Sequence, residues 1–227
     1  MGKYWMVAKV NFKKTTWIAY LVAGICFVAM IADYILDRTL NTVGDSTVAA
    51  YCMLYLVCIL APIFIASVNY TKMMHIGVKK KTYFGGCMIN YVVFAAIIAL
   101  LGVLEHYVID PILSEHETVL GLISVFGWGT SVFGAFFSQF SFLLLVEVVI
   151  HTLVFMQTKW YGWVADFLIV VIISVFTPIP VLREVEIFFF DFTIFRQPAI
   201  IHIAVCLVLA SLVYVTNLFY LKNRDNG

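Results

Sequence analysis

Charge is the scarcest property of this chain. Only 12% of its 227 residues are Asp, Glu, Lys or Arg, where an ordinary soluble domain carries about 25%. The hydrophobic share is 63% and the mean hydropathy is +1.02. A globule of this size still exposes about a quarter to a third of its unfolded surface, and too few polar residues exist to cover that much. A soluble fold is therefore excluded, and most of the surface faces lipid. The formal net charge of +1 gives no field to hold a nucleic acid, so no such partner is expected.

Paired cysteines are absent as well. Cys26, Cys52, Cys58, Cys87 and Cys206 all lie inside apolar runs with no C-x-x-C spacing, which reads as small buried side chains and identifies no redox compartment. No phosphate-binding loop, dinucleotide fingerprint, H-E-x-x-H or G-x-S-x-G occurs, so no catalytic residue and no cofactor site is expected in this chain. Anything moved uphill must draw its energy from an ion gradient or another polypeptide. Neither internal repeats nor low-complexity tracts divide the chain, and residues 1–227 read as one membrane domain.

What is present is a series of apolar runs. About 20 such residues cross a hydrocarbon layer about 30 Å thick, and that length selects 17–36, 48–68, 84–104 and 199–220 directly. The run 118–156 is too long for one straight crossing; a crossing at 134–156 preceded by an interfacial or re-entrant segment accounts for its glycines and serines. After the turn at Gln157 to Lys159, residues 160–177 form another run, closed by Pro178 and Pro180. The expected fold is all-α and integral to the membrane, with six transmembrane helices. The first span has an apolar run about twice a signal-peptide core and no small-x-small site after it, so it is expected to stay in the mature protein.

The loops set the sidedness. Lys3, Lys9, Lys13, Lys14, Lys72, Lys79, Lys80, Lys81, Lys159, Lys222 and Arg224 fall on the side of the termini, against Arg38, Arg183 and Arg196 opposite. Lys and Arg collect in cytoplasmic loops, so both termini are expected in the cytoplasm. The outer side holds most of the acids, Asp37, Asp45, Glu105, Asp110, Glu115, Glu117, Glu184, Glu186 and Asp191 among them. Outside, residues 178–198 carry Phe188, Phe189, Phe190, Phe192 and Phe195 beside charges and read as an amphipathic hairpin at the membrane interface.

The loop 69–83 is longer than a turn requires. Tyr70, Met73, Met74 and Val78 recur at helical spacing with Lys72 on another face, which predicts a short amphipathic helix over Tyr70 to Ile76, ended by Gly77. Lys79, Lys80 and Lys81 then meet the lipid boundary, where a basic cluster attracts anionic headgroups. The string Met74-His75-Ile76-Gly77-Val78-Lys79-Lys80-Lys81-Thr82-Tyr83-Phe84 resembles the corresponding loop of the type-2 ABC transporter permeases. In those six-span subunits a glycine, a basic or small residue two positions on, further basic residues and an aromatic open the third span. The amino terminus with Tyr4, Trp5, Phe12, Lys13 and Lys14 is similar to that family's interfacial helix. The stretch from Met156 to Gly162 is similar to its tight turn between the fourth and fifth spans.

The resemblance implies that Tyr70, Lys72, Met73, Met74, His75, Ile76, Gly77, Lys79, Lys80 and Lys81 belong to a coupling loop that docks on a separate ATP-binding subunit. ATP and Mg would be bound there, and this chain would not be an enzyme by itself. A second permease chain, identical or paralogous, and a bacterial plasma (inner) membrane are implied too. The implied cargo is amphipathic or hydrophobic: a peptide toxin, an antimicrobial peptide or a lipid. From the residues alone, a non-transporting scaffold or sensor subunit stays open.

Ionisable groups inside spans cost about 2.5–3.5 kcal/mol each on lenient scales and call for a reason. Glu147 and His151 are four apart and share a helix face. Counted from Lys159, His151 and Asp166 lie at nearly equal depth, about 10–12 Å. These three form an expected cluster, either lining a substrate path or interface, or tying two spans together. Their spacing is insufficient for a metal site. His202 and Asn90 read as single satisfied polar residues.

Overall fold

Long apolar runs without alternation leave the backbone one way to satisfy its amides away from water, the α-helix. The computed structural model describes residues 2–40, 55–109, 111, 123, 126–129, 131–157, 159–195 and 199–223. Among them every element is helical: α1 (Gly2–Leu40), α2 (Leu56–Phe64), α3 (Tyr70–His75), α4 (Lys80–Leu104), α5 (Val132–Met156), α6 (Trp160–Phe176), α7 (Pro180–Phe190) and α8 (Ala199–Asn223), with π-helical turns at Ile65–Asn69, Glu105–Ile109 and Asp191–Phe195.

Among the described residues, four runs are long and apolar enough to cross a membrane: Leu56–His75, Lys80–Val108, Val132–Met156 and Ala199–Asn217. The expected first span lies within α1. Residues 48–54, where the second was expected to begin, fall outside the described residues, as does most of 118–130. The charges of Asp45, Asp110, Glu115, Glu117, Arg196 and Arg224 fall outside them too.

α6 has 17 residues, which span only about 25 Å at 1.5 Å per residue. It is followed by Pro180–Ile194 at a bend of 117°, so the two helices make a broken span or a re-entrant pair, a fifth candidate if counted as one. The residues expected to form a hairpin thus begin as the returning arm of this pair. Ile179 turns the chain in an extended conformation and Pro180 takes the first helical position, where a missing N–H costs nothing.

α5 is the central helix, packed against α2, α4 and α8, while α1 lies on α4 and α2. Ser131 caps its start, the hydroxyl accepting from the Gly134 N–H at 3.0 Å. Polar side chains fasten its neighbours to it, as between membrane helices generally. Gln139 Nε2 donates to Tyr55 Oη at 2.6 Å, and Asn217 Nδ2 on α8 donates to Thr152 Oγ1 at 3.1 Å. His202 on α8 places its ring nitrogens 2.5 Å from the Thr193 carbonyl and 3.2 Å from that of Ser138, with Trp128 stacked on it at 5.2 Å.

The second span and the loop after it form one rod. Pro62 lies inside α2 and supplies no N–H for the ladder; from Ile65 the helix widens into its π turn. That turn leaves the Ile65 carbonyl accepting two donors, the Tyr70 N–H and the Tyr83 hydroxyl of α4. The rod therefore continues to His75 while anchored sideways to α4.

α6 is scarcely covered by the rest of the bundle. Gly162 is its one buried residue, and a Cβ there would stand 2.3 Å from the Met156 carbonyl carbon and 2.5 Å from the Gln157 nitrogen. Those backbone atoms cannot move aside without opening the turn between α5 and α6. Gly162→Ala is expected to lower stability in detergent by about 1–3 kcal/mol. Gly24→Ala, at a helical position with nothing within 4 Å, is expected to be neutral or to stabilise by up to about 1 kcal/mol. Thermal melts of the two variants check this.

Candidate functional site

Two features combine polar chemistry with defined geometry: a foot at the end of the second rod, and a buried polar face of α5. The foot is α3, and it ends in a hydrogen-bonded stop. The Gly77 N–H donates to the Met74 carbonyl at 3.0 Å and the Val78 N–H to the Met73 carbonyl at 3.1 Å. Gly77 has φ +80°. This double bond with a left-handed glycine is the Schellman arrangement, which satisfies carbonyls that a helix end leaves unpaired.

The ten loop residues divide into two sets. Tyr70 and Met73 are buried and Met74 is half-buried, all packed into the main core. The Tyr70 ring meets Tyr83 edge-on at 5.3 Å and Phe155 of α5 at 5.0 Å. Lys72, His75, Ile76, Gly77, Lys79 and Lys81 are exposed and Lys80 is half-buried. Ile76 stands out as a large apolar side chain 74% exposed beside cations.

On α5, Glu147 and His151 are brought together on one face and sealed, at 0% and 1% exposure. His151 Nδ1 shares a hydrogen bond of 2.5 Å with the Tyr91 hydroxyl of α4. Its ring packs edge-on against Phe84 at 5.2 Å and parallel to Phe155 at 6.1 Å. Beside Glu147 lies the Cys58 thiol of α2. Both Glu147 carboxyl oxygens and His151 Nε2 have no hydrogen-bond partner. Buried polar atoms are nearly always paired, so three unused atoms one helical turn apart are the clearest chemical anomaly in the bundle. α2 and α4 pack over this face and close it from outside.

Asp166 is not drawn into this face. It is half-buried on α6, and its Oδ2 accepts from Gln157 Nε2 at 2.8 Å. Gln157, in the turn between α5 and α6, engages it before it can reach His151. Depth counted along two straight helices does not register a side chain at the turn that intercepts one of them. Tyr91 and Cys58 were missed by sequence reasoning; a tyrosine well inside an apolar span is the available signal, because a buried hydroxyl needs a partner. Asn90 Nδ2 lacks a partner, unlike the expected satisfied residue. Among the described residues no group of three or more His, Cys, Asp or Glu side chains is placed to hold a metal ion.

Fold and composition together define the class: an all-helical, membrane-embedded protein. Comparison with family models, with curated proteins and with solved structures finds no match to this chain.

Tyr91→Phe removes the hydroxyl and leaves His151 Nδ1 unpaired in the core, a loss of about 1–3 kcal/mol. The 74% exposed Tyr20 is the comparison site, where the same change is expected to shift the detergent melting curve by no more than about 0.5 kcal/mol.

Proposed function

We propose that the chain is the transmembrane subunit of an ATP-driven exporter. In this reading it crosses a bacterial plasma membrane six times, α1 making the first crossing, with both termini in the cytoplasm. A separate ATP-binding subunit sits on the foot. A second permease chain, identical or paralogous, completes the path for an amphipathic or hydrophobic cargo such as a peptide toxin, an antimicrobial peptide or a lipid.

The observation that carries this reading is the foot. A chain with no nucleotide-binding motif must receive work through a rigid part that is anchored inward and presented outward. α3 has that form, with Tyr70 and Met73 locked in the core and Lys72, His75 and Ile76 outside. Packed rings also lead inward from it: Tyr70 touches Phe155 at 5.0 Å, and Phe155 stacks on His151 at 6.1 Å. A shift of the foot is thereby felt at the polar face of α5.

Because Tyr70 and Met73 are core residues, the informative changes are on the exposed side. Lys72→Glu combined with Ile76→Asp is expected to reduce copurification of the ATP-binding subunit by at least about tenfold, equivalent to 1.4 kcal/mol, with membrane insertion unchanged. Undiminished copurification would remove the foot from the coupling role. Glu147→Gln is expected to change cargo-stimulated ATP hydrolysis more than it changes the yield of folded protein.

A second reading, a non-transporting scaffold or sensor subunit, is favoured by the sealing of Glu147 and His151 within the single chain. It expects Glu147→Leu to raise thermal stability, since a well-packed apolar side chain avoids the cost of a buried polar group that lacks hydrogen bonds, with no change in ATPase association.

A further inference from the structure

Four helix ends meet on one side of the bundle: the close of α3 at His75, the start of α4 at Lys80, the close of α5 at Met156 and the start of α6 at Trp160. Between them opens a cleft of about 730 Å³, a volume typical of small-molecule sites. Its walls mix polar and apolar side chains, with Ser67 at the inner end and Met74 beside His75. Thr71, His75, Lys80 and Gln157 give the polar part; Ala66 and Val154 give the apolar part. Ala66 lies nine residues before His75 on the same rod, about 13 Å farther into the bundle.

We propose that this cleft binds the phosphate headgroup of an anionic phospholipid. Charge argues for the anion. Lys72, Lys79 and Lys81 are exposed next to lining residues and Lys159 precedes α6, while the nearby acid, Asp166, is held by Gln157 at 2.8 Å. Lys79 and Lys159 also occupy the N-cap positions of α4 and α6 without providing a side-chain cap. A helix start favours negative charge, so a phosphate at the mouth offsets the lysines and the start of α4, whose first residue Lys80 lines the cleft.

The apolar part argues for a lipid rather than a soluble anion. A free phosphate has no use for Ala66 and Val154, whereas a phospholipid extends acyl chains from its headgroup. Those chains have a surface ready beside the cleft, where Trp163, Phe167 and Val170 of α6 are 69%, 67% and 60% exposed. Tryptophan at this level is the usual anchor between headgroups and hydrocarbon. The site does not depend on the exporter reading.

The test is native mass spectrometry of the full chain in mild detergent, titrated with phosphatidylglycerol and, separately, with phosphatidylcholine bearing the same acyl chains. The expected result is preferential retention of phosphatidylglycerol. Lys80→Gln should reduce that preference by about fivefold; Lys80→Arg should keep it, and Arg183→Gln on α7 should leave it unchanged. If Lys80→Gln misfolds, Lys79→Gln with Lys81→Gln, both exposed, reads the loss of charge at the same mouth. Brominated phosphatidylglycerol is expected to quench tryptophan emission more than brominated phosphatidylcholine does, and that excess to be lost in Trp163→Phe, the other four tryptophans giving the common background. Equal binding of the two lipids, or an intact preference in the Gln variants, overturns the proposal. Displacement by millimolar inorganic phosphate overturns it too, by making the site one for a soluble anion. ATPase copurification is not read here, so this result stands apart from that of the exporter reading.

Discussion

Hydrocarbon offers no hydrogen bonds, and the arrangement of this bundle follows from that constraint. Backbone amides in a span are satisfied within their own helix, and several of the polar side chains find partners on neighbouring helices. α5 is where they gather. Gln139, Ser138 and Thr152 tie it to Tyr55, His202 and Asn217, and His151 ties it to Tyr91. The apolar core around these contacts fills space without choosing a register, because lipid and protein interior are equally apolar. The polar contacts make that choice.

Against this background Glu147 is an exception. Its two oxygens have no hydrogen-bond partner within bonding distance, and the Cys58 thiol of α2 lies beside them. Its neighbour His151 is half satisfied. Both side chains are sealed inside the bundle, at 0% and 1% exposure.

Much of the fold was readable from run lengths. The apolar stretches at 84–104, 134–156 and 199–220 became α4, α5 and α8 because their length and lack of breaks admit no other element. The face of α3 followed from the spacing of Tyr70, Met73 and Met74, and its end from Gly77. Sequence did not tell which apolar faces meet protein and which meet lipid, since both surroundings select the same side chains. α6 and α5 are similarly apolar, yet one is covered and the other bare. The 117° return after α6 was also hidden, because a run of 17 residues looks adequate until its length is compared with the membrane. The site was half readable: two members of the expected triad share a face, and the third was lost to Gln157 in the turn.

The π turn at Ile65–Asn69 acts as a phase adjuster between the membrane rod and its foot. Each residue in a helix advances the azimuth by about 100°. The π turn takes in one residue more than an α turn does; closing it to a plain α turn with every residue kept would swing Tyr70 and Met73 out of the core and Lys72 toward it, while deleting one residue as it closes would restore their facing. The wound-out turn is thus the part that decides which side of the foot the outside world meets.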